Sequence, residues 1–280
     1  MSDTILLVGH GSREKSGNDE IESFANAWRK RRPNDRIEVC FIEFADVTLD
    51  AGMANAAKGS KRVIVLPLIL GAAAHVKMEI PHHIDHARKH FPDVEFIMAK
   101  HLGATDKVLQ ALKTELTKAM LALDAPDAKN TGVVLLARGS SDRVANGEIA
   151  KMARWLFEET GHDMVDLAFT GITYPKVETV VQRQVACGMK QVVVLPYYLY
   201  TGVLIERIAR QVERLKQQYP TIAFGLGKYI GFDDAIYELL DERVADAIGE
   251  GRDEPKMLEC DGCKYRGFAE EHGFGHHHHH

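Results

Sequence analysis

Three side chains that bind transition metals each follow an apolar, strand-like stretch in the first half of the sequence. His10 comes directly after the first stretch, Glu43 ends the second, and His75 lies in the loop expected after the third. Two imidazoles and one carboxylate suit divalent cobalt, iron, nickel or zinc better than magnesium or calcium. Three protein ligands leave coordination positions open, as a metal-transfer or catalytic site requires. The alternative is that the two histidines are ordinary loop residues without a bound metal.

The second half of the sequence repeats the first half, so the two halves can be compared position by position. Three motif pairs match at a nearly constant spacing of 128 or 129 residues. The pairs are Gly9-His10-Gly11-Ser12 with Ala137-Arg138-Gly139-Ser140, residues 63–67 with 192–196, and residues 100–106 with 228–234. This agreement predicts a tandem duplication of a domain of about 125 residues.

The three candidate ligands are missing from the second half. The alignment places Arg138 opposite His10, Ile172 opposite Glu43 and Leu204 opposite His75. A histidine with only a structural role has no reason to disappear together with its companions. We therefore predict that His10, Glu43 and His75 form one metal or catalytic site at the carboxyl edge of the sheet, where ligands bind in open α/β folds.

Strand-like and helix-like segments alternate through both halves, which predicts an α/β fold with parallel sheets covered by helices. We expect two tandem duplicated lobes, each a parallel sheet flanked by helices, with an active-site cleft between the lobes. The first lobe, 1–123, carries the metal site, and the second, 133–249, forms a wall of the cleft. Residues 124–132 are predicted to be a polar linker, and residues 250–280 a flexible tail.

Local signals predict where individual elements begin. Ser16 is a suitable N-terminal cap for the first helix. Residues 71–76 are expected to form a loop, followed by a helix that tolerates Pro81 in its first turn. Cys40 and Cys187 stand alone in apolar surroundings, which predicts reduced thiols in the core.

The composition excludes several classes of partner. The chain has 280 residues, of which 45% are hydrophobic and 27% charged, as in ordinary globular proteins. Its net charge of −5 gives no electrostatic reason to bind nucleic acid or an anionic membrane. The longest apolar stretch, 63–74, is too short to cross a bilayer. Because the chain opens Met-Ser-Asp-Thr and continues directly into a strand, we expect no secretory signal and a cytoplasmic protein. We also expect a monomer or a homodimer.

The motifs resemble a known family, the long, two-lobed sirohydrochlorin chelatases of the CbiX type. The resemblance is carried by Gly9-His10-Gly11-Ser12-Arg13, by Glu43, by residues 67–71 leading to His75-Val76, and by Glu79-Ile80-Pro81. It covers nearly the whole chain. The family usually has Asp-Ile-Pro where this chain has Glu79-Ile80-Pro81, which exchanges one carboxylate for another.

The resemblance implies an enzyme, a sirohydrochlorin cobaltochelatase that inserts Co²⁺ into a carboxylate-rich tetrapyrrole during cobalamin synthesis. It assigns metal binding and catalysis to His10, Glu43 and His75. Cobalt is favoured by resemblance only, so iron insertion for sirohaem and nickel insertion stay open. The alternative from another class is a carrier that binds metal or tetrapyrrole without turnover.

A substrate with many carboxylates requires cations around the cleft. The candidates lie in the two equivalent turns and beside the loops after the third strand of each lobe: Arg13, Lys77, Arg138, Arg143 and Arg207. Arg138 takes the place of the metal histidine, so we expect the second lobe to bind substrate. Each cation is otherwise a solvated surface charge. Tyr197, Tyr198 and Tyr200 either line the macrocycle or pack at the strand end.

A histidine-rich helix follows His75. His82, His86 and His90 are spaced four residues apart, with His83 beside them, and they lie on one predicted helix face. This face either gathers metal ions or is an ordinary solvated surface.

The tail contains a second group of metal-binding residues. Cys260 and Cys263 form a C-x-x-C, which is half of an iron–sulfur cluster site or of another metal site. The resemblance supports a cluster, because some long CbiX proteins carry such a tail. The terminal histidines, 276–280, are either native or a truncated purification tag.

Overall fold

The computed structural model describes residues 2–71 and 75–249, and within these ranges it contains eight β-strands and eight α-helices. The strands are β1 (Ser2–Gly9), β2 (Arg36–Phe41), β3 (Ser60–Pro67), β4 (Glu95–Met98), β5 (Thr131–Ala137), β6 (Met164–Phe169), β7 (Gln191–Pro196) and β8 (Ala223–Leu226). The helices are α1 (Lys15–Arg31), α2 (Leu49–Ala57), α3 (Ile80–His90), α4 (Asp106–Leu121), α5 (Arg143–Thr160), α6 (Val177–Ala186), α7 (Val203–Gln218) and α8 (Asp234–Ile248).

The strands form two four-stranded parallel sheets with the same topology. Their order is β2-β1-β3-β4 in the first sheet and β6-β5-β7-β8 in the second. The registers also correspond, because Val8 of β1 lies opposite Pro67 of β3, and Leu136 of β5 lies opposite Pro196 of β7. The predicted α/β fold, with a duplicated parallel sheet, is confirmed.

Each sheet is buried on both faces because its strands are almost wholly apolar. Leu6 and Val8 face a core that also contains Met53 of α2 and Ile84 of α3. Leu7, which points to the opposite face, is also fully buried, so helices cover that face as well. Each such side chain contributes about 1.5–3 kcal/mol to stability by leaving water. This burial holds the strand ends, and the turns that follow them, in fixed positions.

The chain packs as two compact units that differ from the two sequence repeats. One unit contains the residues up to Gly103 together with those from Tyr237 onward, and the other contains Ala104–Ile236. Helix α4 follows the first sheet in the sequence but packs against β7 and β8 in the second unit. In the first unit, Tyr237 of α8 stacks on Phe24 of α1 with ring centroids 4.4 Å apart. The last helix of each repeat therefore belongs to the unit built mainly by the other repeat.

Helix α1 begins differently from the sequence prediction. It starts at Lys15, and its N-cap residue is Glu14, whose side chain makes no capping hydrogen bond. The prediction that Ser16 caps this helix is therefore wrong, because Ser16 already lies in the first turn. The predicted linker is also partly ordered, since Ala128–Asn130 forms a short 3₁₀ helix directly before β5.

The expected loop before α3 is shorter than predicted. A π-helical turn, His75–Glu79, leads directly into α3, whose first turn contains Pro81. Pro81 has no N–H to donate to the carbonyl of Lys77, so the regular α-helical ladder is interrupted at this point. A π-helical turn accommodates the interruption without breaking the helix, and such turns are frequent at functional sites.

The two cysteines within the described residues have different environments. Cys40 is fully buried, as predicted, and burial raises the pKa of its thiol to about 12. Cys187 is exposed directly after α6, so the prediction of a core thiol is wrong there. In the described parts of the chain, every helix is too short or too polar to cross a membrane.

Candidate functional site

His10 and Glu43 are brought together by backbone pairing that continues past the ends of β1 and β2. The amide of Ile42 donates to the carbonyl of Gly9 at 3.0 Å, and the amide of Glu43 donates to the carbonyl of His10 at 3.1 Å. Because these bonds fix both residues in one register, the two side chains start from adjacent positions at the carboxyl edge of the sheet. This is the edge where the sequence predicts the metal site.

The two side chains lie close to each other and are each partly exposed, although His10 Nε2 itself is buried. His10 Nδ1 is 3.5 Å from Glu43 Oε1, and the side chains are 34% and 38% exposed. His10 Nδ1 is also 3.2 Å from the carbonyl oxygen of Gly11. Both neighbours are oxygens that only accept hydrogen bonds, so they favour the tautomer with the proton on Nδ1. Nε2 then carries the lone pair that binds a metal ion or a proton.

The turn between His10 and α1 is fixed by a glycine with positive φ and by the side chain of Asn18. Gly11 has φ +90°, and a Cβ at this position would lie 1.7 Å from the carbonyl oxygen of Glu43, so only glycine fits. The Asn18 side chain accepts a hydrogen bond from the Ser12 amide at 2.8 Å and donates to the Ser12 carbonyl at 3.0 Å. It also donates to the carbonyl of Phe44 at 2.9 Å, which ties the two strand ends together.

Asn18 is a site residue that the sequence analysis missed. Its counterpart in the second half, Asn146, accepts from the Ser140 amide at 2.9 Å and donates to the Ser140 carbonyl at 2.8 Å. The two asparagines stand at the same spacing, 128 residues, as the two glycine–serine turns. That spacing was the signal in the sequence that would have found them.

His75 is placed by its backbone alone. It is the first residue of the π-helical turn, which follows β3, the strand beside β1 in the sheet. Its side chain lies outside the described part of the structure, so its place in the ligand set stays a prediction. Among the described residues, no three histidine, cysteine, aspartate or glutamate side chains form a ready metal cluster.

The same edge of the second sheet has different side chains in the same backbone arrangement. The amide of Gly171 donates to the carbonyl of Arg138 at 2.8 Å, just as Glu43 does to His10. The residue opposite Glu43 is therefore Gly171, and the alignment with Ile172 is wrong by one position. The conclusion drawn from that alignment is unchanged, because neither glycine nor isoleucine binds metal.

Arg138 lies beside a pair of hydroxyl groups in the second lobe. Tyr198 and Thr170 are joined by a hydrogen bond of 2.8 Å between their hydroxyl oxygens. Burial raises the pKa of Tyr198, while the hydrogen bond with Thr170 and the charges of Arg138 and Arg207 oppose that rise. The tyrosine phenol therefore lies within the field of both arginines. In the first lobe the same two backbone positions are the apolar residues Ile42 and Ile69.

The other predicted cations are placed as follows. The guanidinium of Arg13 lies over the ring of Phe44, 4.8 Å from its centroid, next to Glu43. Arg143 is exposed in the first turn of α5, and Lys77 is half-buried in the π-helical turn.

The remaining tyrosines of the second lobe pack at the end of β7. Tyr197 is buried, and burial raises the pKa of its phenol. The ring of Tyr200 meets the ring of Phe232 edge-on, 6.2 Å away. For Tyr197, packing at the strand end is therefore the better interpretation of the two.

Two further predictions concern residues away from this edge. The histidines of α3 do lie together, with the rings of His82 and His86 4.6 Å apart between centroids. Burial, followed by the charges of His86 and His83, lowers the pKa of His82. Cys260, Cys263 and the terminal histidines lie outside the described residues, so the predictions about the tail stay predictions.

Comparisons with known proteins show which proteins this chain is similar to. The model of the CbiX family matches residues 4–119 and 132–247, which are the two repeats. The chain is 38% identical over 266 residues to the sirohydrochlorin cobaltochelatase of Priestia megaterium, covering 94% of this chain and 84% of that protein. It is 29% identical over 243 residues to the sirohydrochlorin ferrochelatase of the same species, with coverages of 86% and 89%.

A solved structure supports the fold. SirB from Bacillus subtilis with Fe³⁺ is similar with a TM-score of 0.77 and 28% sequence identity, covering 91% of this chain and 100% of that chain. Relatives named for cobalt and for iron thus match most of the same chain. The family is the same for both, so membership of the family does not by itself decide the metal.

Proposed function

Because the chain belongs to the CbiX family, we propose that it is a chelatase that inserts a divalent metal ion into sirohydrochlorin, with Co²⁺ as the preferred metal and cobalamin biosynthesis as the setting. One observation carries the proposal. The first lobe holds an imidazole and a carboxylate 3.5 Å apart at the carboxyl edge of its sheet, and the second lobe has Arg138 and Gly171 at the same positions. Metal-binding groups present in one copy of a duplicated fold indicate chemistry in that copy.

We assign His10 and Glu43 the double task of holding the incoming ion and removing protons from the ring. Chelation requires the ion to lose water and two pyrrole nitrogens to lose protons. His10 Nε2 is suited to bind the ion or to accept a proton, because its Nδ1 faces oxygen acceptors. Oε1 of Glu43 orients the imidazole, as carboxylates next to metal-binding histidines commonly do. Its second oxygen, Oε2, is then the one to bind metal or to take a pyrrole proton.

His75 completes the proposed ligand set. Its position at the start of the π-helical turn, after the strand next to β1, supports this role. Two imidazoles and a carboxylate bind cobalt, iron and nickel alike, so the donor set does not choose among them. The preference for cobalt is supported by the higher identity to the cobaltochelatase, 38% against 29% for the ferrochelatase of the same species.

The second lobe is proposed to bind carboxylates of the tetrapyrrole. Arg138 and Arg207 supply positive charge beside the hydroxyl pair of Tyr198 and Thr170. Guanidinium groups bind carboxylates with two parallel hydrogen bonds, and a hydroxyl adds a further donor. Arg13, Lys77 and Arg143 are proposed to contribute charge around the same substrate. The second repeat has Arg138 at the position of His10, and thus has affinity for anions in place of affinity for metal.

The proposal is tested by mixing the full chain with sirohydrochlorin and Co²⁺ and following the change in absorbance that accompanies metal insertion. We expect a rate well above that of the same mixture without protein. A rate equal to that of the protein-free mixture, together with tight Co²⁺ binding, would instead identify a metal carrier. Repeating the assay with Co²⁺, Fe²⁺ and Ni²⁺ in competition under anaerobic conditions tests the metal preference, and faster insertion of Fe²⁺ would overturn the choice of cobalt.

A further inference from the structure

The outer surface of α3 carries a compact group of imidazoles that the proposed reaction does not use. His82 and His86 are one helical turn apart, and their ring centroids are separated by 4.6 Å. The ring of His83 is 5.7 Å from that of His82, and its Nδ1 lies 2.6 Å from Asp50 Oδ1 of α2. Three imidazoles are therefore neighbours here, and one of them, His83, is bonded to a carboxylate of the adjacent helix.

The pair has the geometry of a two-point metal chelate. Two histidines at i and i+4 on one helix face are a recurrent way to bind a transition metal ion. With nitrogen–metal distances of about 2.1 Å, an ion bound by both rings requires nitrogens no more than about 4.2 Å apart. The ring centroids are 4.6 Å apart, so rotation of the two side chains is enough to bring one nitrogen of each ring within that distance. We propose that His82 and His86 form a second site for a divalent transition metal ion, distinct from the site of His10 and Glu43.

Packing of α3 does not require these imidazoles. The helix buries Ile80, Pro81, Ile84 and Ala87 against the core, whereas His82 is only half-buried and His86 is exposed. A side chain outside the core makes little contribution to stability by burial. Three neighbouring imidazoles also repel one another when protonated, which is a cost that an ordinary solvated face avoids.

The chemistry of the pair defines its ligand and its strength. Imidazole nitrogens prefer cobalt, nickel, copper and zinc to magnesium or calcium. His83 is engaged with Asp50, and among the described residues no three histidine, cysteine, aspartate or glutamate side chains form a ready metal cluster. Water therefore occupies the other coordination positions, and the ion exchanges readily. A weak, exchangeable site suits the capture of an ion rather than its permanent storage.

The location relates the pair to the proposed reaction. The π-helical turn that begins at His75 runs directly into α3, so His82 follows His75 by seven residues along one continuous helical path. At about 1.5 Å per residue, the two backbone positions are about 10 Å apart along the helix axis. An ion captured at the pair is thus close to the residue proposed as the third ligand. This delivery role rests on the proposed function, whereas metal binding by the pair does not.

Calorimetric titration of the full chain with CoCl₂, in the absence of sirohydrochlorin, tests the site. The double variant His82→Gln/His86→Gln is expected to lose one Co²⁺-binding event that the wild-type chain shows, with other events unchanged. His90→Gln is the matched control, because His90 lies on the same helix and its Nδ1 contacts the carbonyl of His86 instead of the pair. His10→Gln is expected to lose a different event.

The outcomes separate this site from the proposed enzyme. If the double variant binds as many Co²⁺ ions, with the same affinities, as the wild-type chain, the second site does not exist. If His90→Gln loses the same event, the assignment to His82 and His86 is wrong. Circular dichroism of each variant confirms that α3 is intact before binding is compared. A third outcome is that the wild-type chain does not catalyse chelation while the double variant still loses one Co²⁺-binding event. That result would contradict the proposed function but support the second metal site.

Discussion

The carboxyl edges of the two sheets have the same backbone arrangement but carry different side chains at the positions of His10 and Glu43. The first has His10 and Glu43 where the second has Arg138 and Gly171, and both pairs are joined by the same amide-to-carbonyl hydrogen bond. Both turns contain a glycine with positive φ followed by a serine, and in both an asparagine side chain accepts a hydrogen bond from the amide of that serine. The shared features belong to the fold, and the features that differ belong to function.

The difference extends to how closely the two strand ends approach. In the first lobe a Cβ on Gly11 would strike the carbonyl oxygen of Glu43. In the second lobe a Cβ on Gly171 would lie 2.4 Å from the carbonyl oxygen of Arg138, so the residue opposite Glu43 has no room for a side chain. The second edge therefore has no room for a carboxylate at this position, so the difference between the two edges lies partly in the backbone.

The largest expected effect comes from removing the proposed metal pair of the first lobe, His10 and Glu43. His10→Ala removes both a ligand and a proton acceptor, so we expect kcat/KM for Co²⁺ insertion to fall about 10³-fold. Glu43→Gln keeps the shape but removes the charge that orients His10, and a fall of about 10- to 100-fold is expected. Both are measured by the absorbance change of sirohydrochlorin, with Co²⁺ varied from below saturation upward.

Arg138→Ala is the comparison variant in the second lobe. It removes a charge proposed to hold a substrate carboxylate, so KM for sirohydrochlorin should rise about tenfold or more while Co²⁺ binding is unchanged. Equal losses of Co²⁺ affinity in His10→Ala and Arg138→Ala would show that the two edges are not specialised as proposed.

The next effect concerns the glycine that allows the close approach in the first lobe. Gly11→Ala forces a residue with a side chain to adopt φ +90° and places its Cβ against the carbonyl of Glu43. Strain and the clash together should lower the free energy of unfolding by about 3 kcal/mol. Gly59→Ala is the control, since Gly59 has φ +75° with open space around it and should cost only about 1 kcal/mol. Urea unfolding of the two variants compares them, and equal costs would contradict the close approach.

The site could be predicted from the sequence as far as strand order determines it. His10 and Glu43 follow apolar strands, and parallel strands bring their carboxyl ends to one edge, so their meeting was predictable. The one-residue error opposite Glu43 arose from applying the 129-residue spacing too early. The amide of Phe41 donates to the carbonyl of Val47, and the amide of Phe169 donates to the carbonyl of Pro175. The two repeats therefore still match at a spacing of 128 residues there, and the extra residue of the second repeat comes later in the chain.

Other features could not be predicted from spacing alone. Helix α4 packs in the second unit and α8 in the first, so each is exchanged relative to its own repeat. The local sequence of each helix is compatible with either unit, and only long-range packing decides between them. The hydroxyl pair of Thr170 and Tyr198 joins residues 28 positions apart, and nothing in either local pattern marks them as partners. Such contacts arise from the register between β6 and β7, each paired with β5, which only the structure gives.

A smaller effect distinguishes the two asparagines. Asn18 makes three hydrogen bonds, including one to Phe44 beside Glu43, whereas two are found for Asn146 in the described structure. At about 1 kcal/mol for each bond, Asn18→Ala should cost about 2–3 kcal/mol and Asn146→Ala about 2 kcal/mol. Only Asn18→Ala should also weaken Co²⁺ binding, because it releases the strand end that carries Glu43. Calorimetry with CoCl₂ measures this, and a similar loss in Asn146→Ala would argue against it.

The smallest expected effect tests whether the hydroxyl pair of the second lobe takes part in substrate binding. Tyr198→Phe removes the hydroxyl that bonds Thr170 but keeps the ring, so the packing of β7 should persist. If the phenol donates to a substrate carboxylate, KM for sirohydrochlorin should rise about three- to tenfold while kcat stays within about twofold. Tyr197→Phe, at a buried neighbouring position, is the control and should leave KM unchanged.

Because burial raises the pKa of Tyr198, the phenol keeps its proton at neutral pH, and the KM difference between wild type and Tyr198→Phe should stay constant from about pH 7 to about pH 9. A difference that disappears across this range would mean that the phenol ionises there and that the arginines, rather than the hydroxyl, hold the carboxylate.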